Sequence, residues 1–175
     1  MNKAEINSLL LDISYGDNKA FEQLYLKTYR GVFAFIYSYL HDYHESEDAM
    51  QNVFLKIKKG INSYTPNTNG RAWILQIAKN HCLNLIKARK QTVDINEMAN
   101  TLSGDEPVFS DQSSVMQIMK THLSDEEYQI VVLHVLWGYK HREIANLFNC
   151  PTGTVTSKYK RALQKIKNNL KEDNT

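Results

Sequence analysis

Apolar residues recur along this chain at helical spacing and almost nowhere at the alternating spacing of strands. From Lys19 to Leu40, the positions Phe21, Leu24, Tyr25, Val32, Phe33, Phe35, Ile36, Tyr39 and Leu40 predict one long amphipathic helix. A polar turn over His41–Ser46 precedes a second helix, about Ser46 to Lys59, with Ala49, Met50, Val53, Phe54 and Ile57 on one face. The run Tyr64-Thr-Pro-Asn-Thr-Asn-Gly70 is rich in breakers and predicts a loop. Trp73, Ile74, Ile77, Ala78, Leu83 and Ile86 then mark a third helix from about Arg71 to Lys90. Periodicity lapses over residues 91–115, where Ser103-Gly-Asp-Glu-Pro107 has the composition of a linker that buries no core. It resumes at Leu123-Ser-Asp-Glu-Glu127. There Ser124 and Glu127 form a capping box, Leu123 and Tyr128 can staple across it, and a helix from Asp125 to Leu136 ends near Gly138.

The last stretch, His141 to Leu170, reads as two helices around a tight break. Ile144, Ala145, Leu147 and Phe148 give the first a one-sided apolar pattern. Asn149 tolerates the left-handed backbone that ends a helix, Pro151 blocks continuation, and Thr152 can cap the next start. In the second helix Val155, Tyr159, Ala162, Leu163, Ile166 and Leu170 form an apolar stripe. Thr154, Ser157, Lys158, Arg161 and Lys165 share the opposite face. Hydroxyls near a helix start and cations further along suit a DNA major groove, the former for base edges, the latter for phosphates. The small Ala145 four residues before the turn lets the two helices approach closely, which favours a helix-turn-helix over an ordinary solvated basic helix.

Charge sharpens this picture. The net charge of 175 residues is only +2, but the balance is −4 over residues 1–55, +8 over 56–90, −7 over 91–127 and +5 over 128–175. Two basic blocks separated by an acidic one suggest two contacts with a polyanion. Lys56, Lys58, Lys59, Arg71, Lys79, Lys87, Arg89 and Lys90, with no acid among them, resemble a phosphate track. Cys82 and Cys150 lie far apart and outside any metal-ligand spacing, which suits a reducing cytosol. The N-terminus has acids within its apolar run and no cleavage site, and no run approaches a membrane span, so neither signal peptide nor membrane insertion is expected.

Catalytic readings are weak. Glu45, Glu47 and Asp48, near Asp42 and His44, are better explained as a solvated helix start than as paired catalytic carboxylates. His81 and Cys82 are adjacent and diverge on a helix, so they make no dyad. Trp73, at a loop-to-helix junction, fits a core position or a base-stacking platform equally.

Four stretches, in order, carry a family resemblance: Ser46-Glu-Asp-Ala-Met-Gln-Asn-Val-Phe54, Arg71-Ala-Trp-Ile-Leu-Gln-Ile-Ala-Lys-Asn80, Leu123-Ser-Asp-Glu-Glu127, and Arg142-Glu-Ile-Ala145 through Pro151-Thr-Gly-Thr-Val155. With them the chain resembles the extracytoplasmic-function (ECF) sigma factors of the sigma-seventy family of bacterial transcription initiation factors. The resemblance implies an all-α, non-enzymatic protein without cofactor or metal. It implies a region 2-like helical bundle over residues 1–90, a flexible acidic linker over 91–115, and a region 4-like helix-turn-helix domain over 116–175. It implies core RNA polymerase and promoter DNA as partners, and an anti-sigma factor as a further one.

By the same resemblance, Asp48, Gln51 and Asn52 dock on the polymerase β′ coiled coil, while the C-terminal domain meets the β flap. Asn67, Thr68 and Asn69 hold an unstacked base of the −10 element, with Arg71, Trp73, Lys79 and Asn80 nearby. Thr154, Thr156, Ser157, Lys158, Lys160 and Arg161 read the −35 element. Asn149 stands where the family usually has a turn glycine, and Lys158 at a frequent Arg position. Twenty-five extended linker residues reach up to ~80 Å, beyond two duplex turns of ~34 Å, so the halves can occupy separate sites. The competing reading is a free-standing helix-turn-helix regulator that binds an inverted repeat as a dimer. A recombinase or nuclease with a helix-turn-helix tail would need nucleophiles or carboxylates on strands, and the first 90 residues read as helix.

Overall fold

The computed structural model describes residues 2–93 and 112–172. The heart of the linker, and the flexibility expected of it, lie outside the described residues. Eight α-helices account for most of the rest, and no strand occurs among the described residues.

The first helix, α1 (Lys3–Ser14), starts at Asn2, whose side chain accepts from the Ala4 N–H, and buries Ile6, Leu9, Leu10 and Ile13. The sequence reading assigned this stretch no element; it is nevertheless a short amphipathic helix packed across α2 and α4. In α2 (Asn18–Leu40) the Asp17 carboxylate caps two amides, and His41 closes the helix in the left-handed conformation at φ 54°. Asp42 then caps α3 (Tyr43–Gly60) through the Glu45 N–H. The joint is therefore two residues long, not a turn reaching Ser46, because a cap at Asp42 satisfies orphan amides at once. A 3₁₀ turn (Ile61–Ser63) and the loop 64–69 lead into α4 (Gly70–Val93).

After the undescribed segment come α5 (Gln112–His122) and α6 (Asp125–Val131), the latter opened by the Ser124/Glu127 capping box that the sequence announced. Its last turn widens into a π-helix (Val132–Leu136) before Gly138, at φ 68°, turns the chain. The helices α7 (His141–Leu147) and α8 (Thr152–Glu172) are joined by Asn149 at φ 49°, the left-handed turn expected of it. Thr152 is itself helical and not the cap, so the boundary falls one residue earlier than expected.

One hydrophobic core runs through α1–α4 and on into α5–α8. Trp137, fully buried, donates its indole N–H to the Gly31 carbonyl of α2 at 3.0 Å. Tyr37 and Tyr128 rings lie 6.3 Å apart, and His41 Nε2 is 3.1 Å from Asp125 Oδ1. The two halves, which the linker would allow to sit on separate sites, are packed together here.

Candidate nucleic-acid interface

The opposed faces of α8 are built by burial on one side. Val155 and Ala162 are fully buried, with Tyr159 and Ile166 packed beside them. Leu163, assigned to the stripe, is instead 41% exposed. It lies about 80° round the helix from Val155, whereas Ala162 lies within about 20°. On the outer side Ser157, Lys160 and Arg161 are exposed, while Thr154, Thr156 and Lys158 are half-buried.

Two of these side chains already have partners. Thr156 donates its hydroxyl to the Thr152 carbonyl (3.0 Å) and lies 3.1 Å from His141 Nδ1, so it faces α7 and not open solvent. Lys158 pairs with Glu126, and about two turns further Lys165 pairs with Glu127 at 2.7 Å. Burial pushes the Glu127 carboxyl up, but Lys165 and the Ser124 N–H outweigh it and hold it below its ordinary value. Among the described residues Thr154, Ser157 and Lys160 remain without such partners, and Arg161, exposed beside them, makes no ion pair of this kind although its charge also helps hold the Glu127 carboxyl down.

Beneath this face His134, His141 and Tyr159 form a cluster, with ring centroids 4.6–5.0 Å apart. Since the Thr156 hydrogen is committed to Thr152, His141 Nδ1 must donate to Thr156, which leaves Nε2 as the bare nitrogen. That atom is buried and has no partner. Burial, and then the neighbouring His134, hold His141 below the ordinary histidine value of 6.5. A depressed histidine means the unfolded chain takes up the proton first, so stability falls as pH drops below about 6.5. The melting temperature is expected to decline between pH 7.5 and 5.5, and His141→Phe to reduce that slope. An unchanged slope in the variant would remove His141 as its source.

The loop 65–69 is the second surface. Asn67 adopts the left-handed conformation at φ 63° and is exposed. Thr68 Oγ1 donates to the Thr65 carbonyl (2.6 Å), and the Asn69 side-chain oxygen accepts from the Ala72 N–H (3.3 Å), capping α4. Trp73 is half-buried with its ring tilted against Tyr64 at 5.5 Å, part core and part surface. Lys79 and Asn80 are exposed, but nine residues of helix put Lys79 about 14 Å from Gly70. Asn80 also accepts from Gln76.

Arg71 departs most from expectation. It is 5% exposed, donates to the Trp137 carbonyl at 2.6 Å, and its guanidinium lies 4.6 Å from the Tyr139 ring centroid. The charge track is broken as well: Lys56 donates to His81 Nδ1 (2.8 Å), Lys58 lies over the Phe21 ring, and Arg89 pairs with Glu45. Lys59, Lys79, Lys87 and Lys90 are exposed.

A third surface lies on α3. Asp48, Gln51 and Asn52 are all exposed on one helical face, and Leu55, 54% exposed, continues it one turn on. The sequence reading missed Leu55, although its place seven residues after Asp48 and off the buried stripe marks it. The acidic cluster has no catalytic company: Glu45 pairs with Arg89, and Glu47 accepts from Tyr43 (3.1 Å). Cys82 is buried, which pushes its thiol up to about 12 and leaves it unreactive. No helix among the described residues is long and apolar enough to cross a membrane, and no group of three metal-ligating side chains occurs among them.

Comparison with known proteins agrees with this architecture. The family description "Sigma-70 region 2" matches residues 24–92, and "Sigma-70, region 4" matches residues 119–166. The chain is 28% identical to the ECF RNA polymerase sigma-E factor of Escherichia coli, covering 90% of each chain. It is 24% identical to the ECF RNA polymerase sigma factor SigW of Bacillus subtilis (95% and 97% covered). It is 23% identical to the RNA polymerase sigma-H factor of Pseudomonas aeruginosa (95% and 94% covered). In fold it resembles the sigma factor RpoE of Bartonella quintana, solved with the anti-sigma factor NepR, at a TM-score of 0.64 and 21% identity, covering 87% of this chain and 98% of that one. CnrH, solved with the cytosolic domain of CnrY, gives 0.61 and 18% over 97% and 99%. With both regions matched in order across most of its length, the chain belongs to the sigma-70 family of RNA polymerase sigma factors, in the ECF subfamily.

Proposed function

We propose that this sigma factor divides promoter selection among the three surfaces described above. The face of α3 bearing Asp48, Gln51 and Asn52 docks on the β′ coiled coil of core RNA polymerase, and the C-terminal half on the β flap. The loop 65–69, with Arg71 and Trp73, holds and opens the −10 element, and α8 reads the −35 element. Polymerase carries out the chemistry, so the chain brings no catalytic residue or cofactor, and it acts in the cytoplasm. An anti-sigma factor is the natural antagonist, as the one described with RpoE suggests.

The observation that carries this reading is the division of α8. Val155 and Ala162 are sealed into the core, while Ser157, Lys160 and Arg161 stand in solvent on the reverse side. In the packed arrangement Arg71 is committed to Trp137 and Tyr139, so its part in opening DNA requires the C-terminal half to move off α4.

Arg161→Ala is expected to weaken −35 binding by about 1–3 kcal/mol if it reads a base edge. Lys158→Ala should cost less, because a phosphate must first displace Glu126. Run-off transcription with purified core polymerase on genomic fragments tests the whole reading. Transcription that starts at the same places without the protein would sink it. Dimeric footprints on inverted repeats, formed without polymerase, would favour the free-standing regulator.

A further inference from the structure

The loop assigned to the −10 element is held from outside by a residue of α1. The Asn7 side chain donates from Nδ2 to the Thr68 carbonyl (2.9 Å) and accepts through Oδ1 from the Gly70 N–H (2.9 Å). One side-chain amide thus satisfies the carbonyl of a loop residue and the N–H of the first residue of α4, on either side of Asn69, much as a neighbouring strand would. The approach is close: a Cβ on Gly70 would come within 2.6 Å of Leu10 Cδ1 and 2.7 Å of Asn7 Oδ1. Buried Ile6 and Leu10 fix α1 at this distance, so the latch rests on a packed helix.

Inside the loop, the Thr68 hydroxyl hydrogen is spent on the Thr65 carbonyl and the Asn69 side-chain oxygen on the Ala72 N–H at the start of α4. Asn67 is different: exposed, left-handed, and without a hydrogen bond to another described residue. Its amide offers one acceptor and two donors, the complement of a base's Watson–Crick edge.

We propose that Asn7 is the positioning residue that sets −10 specificity, by latching Thr68 and Gly70 so that Asn67 alone presents its amide to an unstacked base of single-stranded DNA. This rests on the −10 role given to the loop above. Asn7 touches no DNA itself. It holds the backbone whose geometry aims Asn67.

The test is run-off transcription by core polymerase with the full chain, from two template pools, one randomised in the −10 element and one in the −35. Products are read by sequencing. Asn7→Ala and Asn67→Ala are each expected to flatten preference at one and the same −10 position by about 5- to 150-fold, the range of a lost base discrimination. Preferences in the −35 pool should stay as in the wild type, which a general loss of folding would not allow. Asn7→Asp, which can still accept from Gly70 but cannot donate to Thr68, should give a partial loss at that position. The latch is overturned if Asn7→Ala keeps the wild-type −10 profile while Asn67→Ala loses it, or if the two flatten different positions. Wild-type protein that initiates without any −10 preference overturns the role of the loop instead, and the latch with it.

Discussion

Replacing Trp137 with Ala is expected to lower stability by about 3–5 kcal/mol, the usual cost of emptying a large aromatic site in a core. For a chain of this size that is roughly 6–20 °C in melting temperature. Trp137 is fully buried, and it is also the side chain through which the C-terminal half enters the N-terminal bundle, through its bond to Gly31. Its carbonyl holds Arg71 as well. The loss should therefore be accompanied by separation of the halves, seen as a larger hydrodynamic radius. Trp137→Phe retains most of the volume but not the N–H donor, and should cost about 1 kcal/mol. A melting temperature for Trp137→Ala within 2 °C of the wild type would show that the packing between the halves contributes nothing.

Changing Asp48 and Gln51 together to Ala should weaken binding to core polymerase by about 2 kcal/mol or more, roughly thirtyfold, if they lie at the centre of the docking face. Both are exposed and neither side chain supports the fold, so melting should be unaffected. Binding of the double variant to −35 DNA through α8 should also persist. Leu55→Ala probes the same face, since a half-exposed leucine beside polar contacts is where an interface places its apolar centre. Equal retention of wild type and double variant on immobilised core would move the docking site elsewhere.

Most of the architecture was legible because apolar periodicity and capping residues act locally. The Ser124/Glu127 box, the left-handed Asn149 and the breaker-rich loop before Gly70 all appear where residue chemistry puts them. The early helix α1 escaped notice because its twelve residues interleave Glu5 and Asp12 with the apolar positions, and its purpose lies sixty residues away, at Thr68 and Gly70. The pairing of Lys158 with Glu126 and the burial of Arg71 depend on contacts between distant segments, which no local pattern encodes. Leu163 was misplaced for a different reason: an apolar residue at i+8 looks periodic but points off the axis of the stripe. Of the residues assigned to the −35 face, Ser157, Lys160 and Arg161 have the exposure expected of them, because their surroundings are set by their own helix.

In the −35 role proposed for α8, the carboxylates beneath it also shape how DNA binding responds to ionic strength. Glu126 and Glu127 neutralise Lys158 and Lys165 before any DNA arrives. A phosphate that claims Lys158 releases a carboxylate as well as a condensed cation, so less mobile salt is exchanged than the tally of lysines suggests. Binding should then weaken with added salt less steeply than about 0.9 per cation on a logarithmic scale, which leaves a larger share of the remaining attraction to contacts that distinguish one base from another.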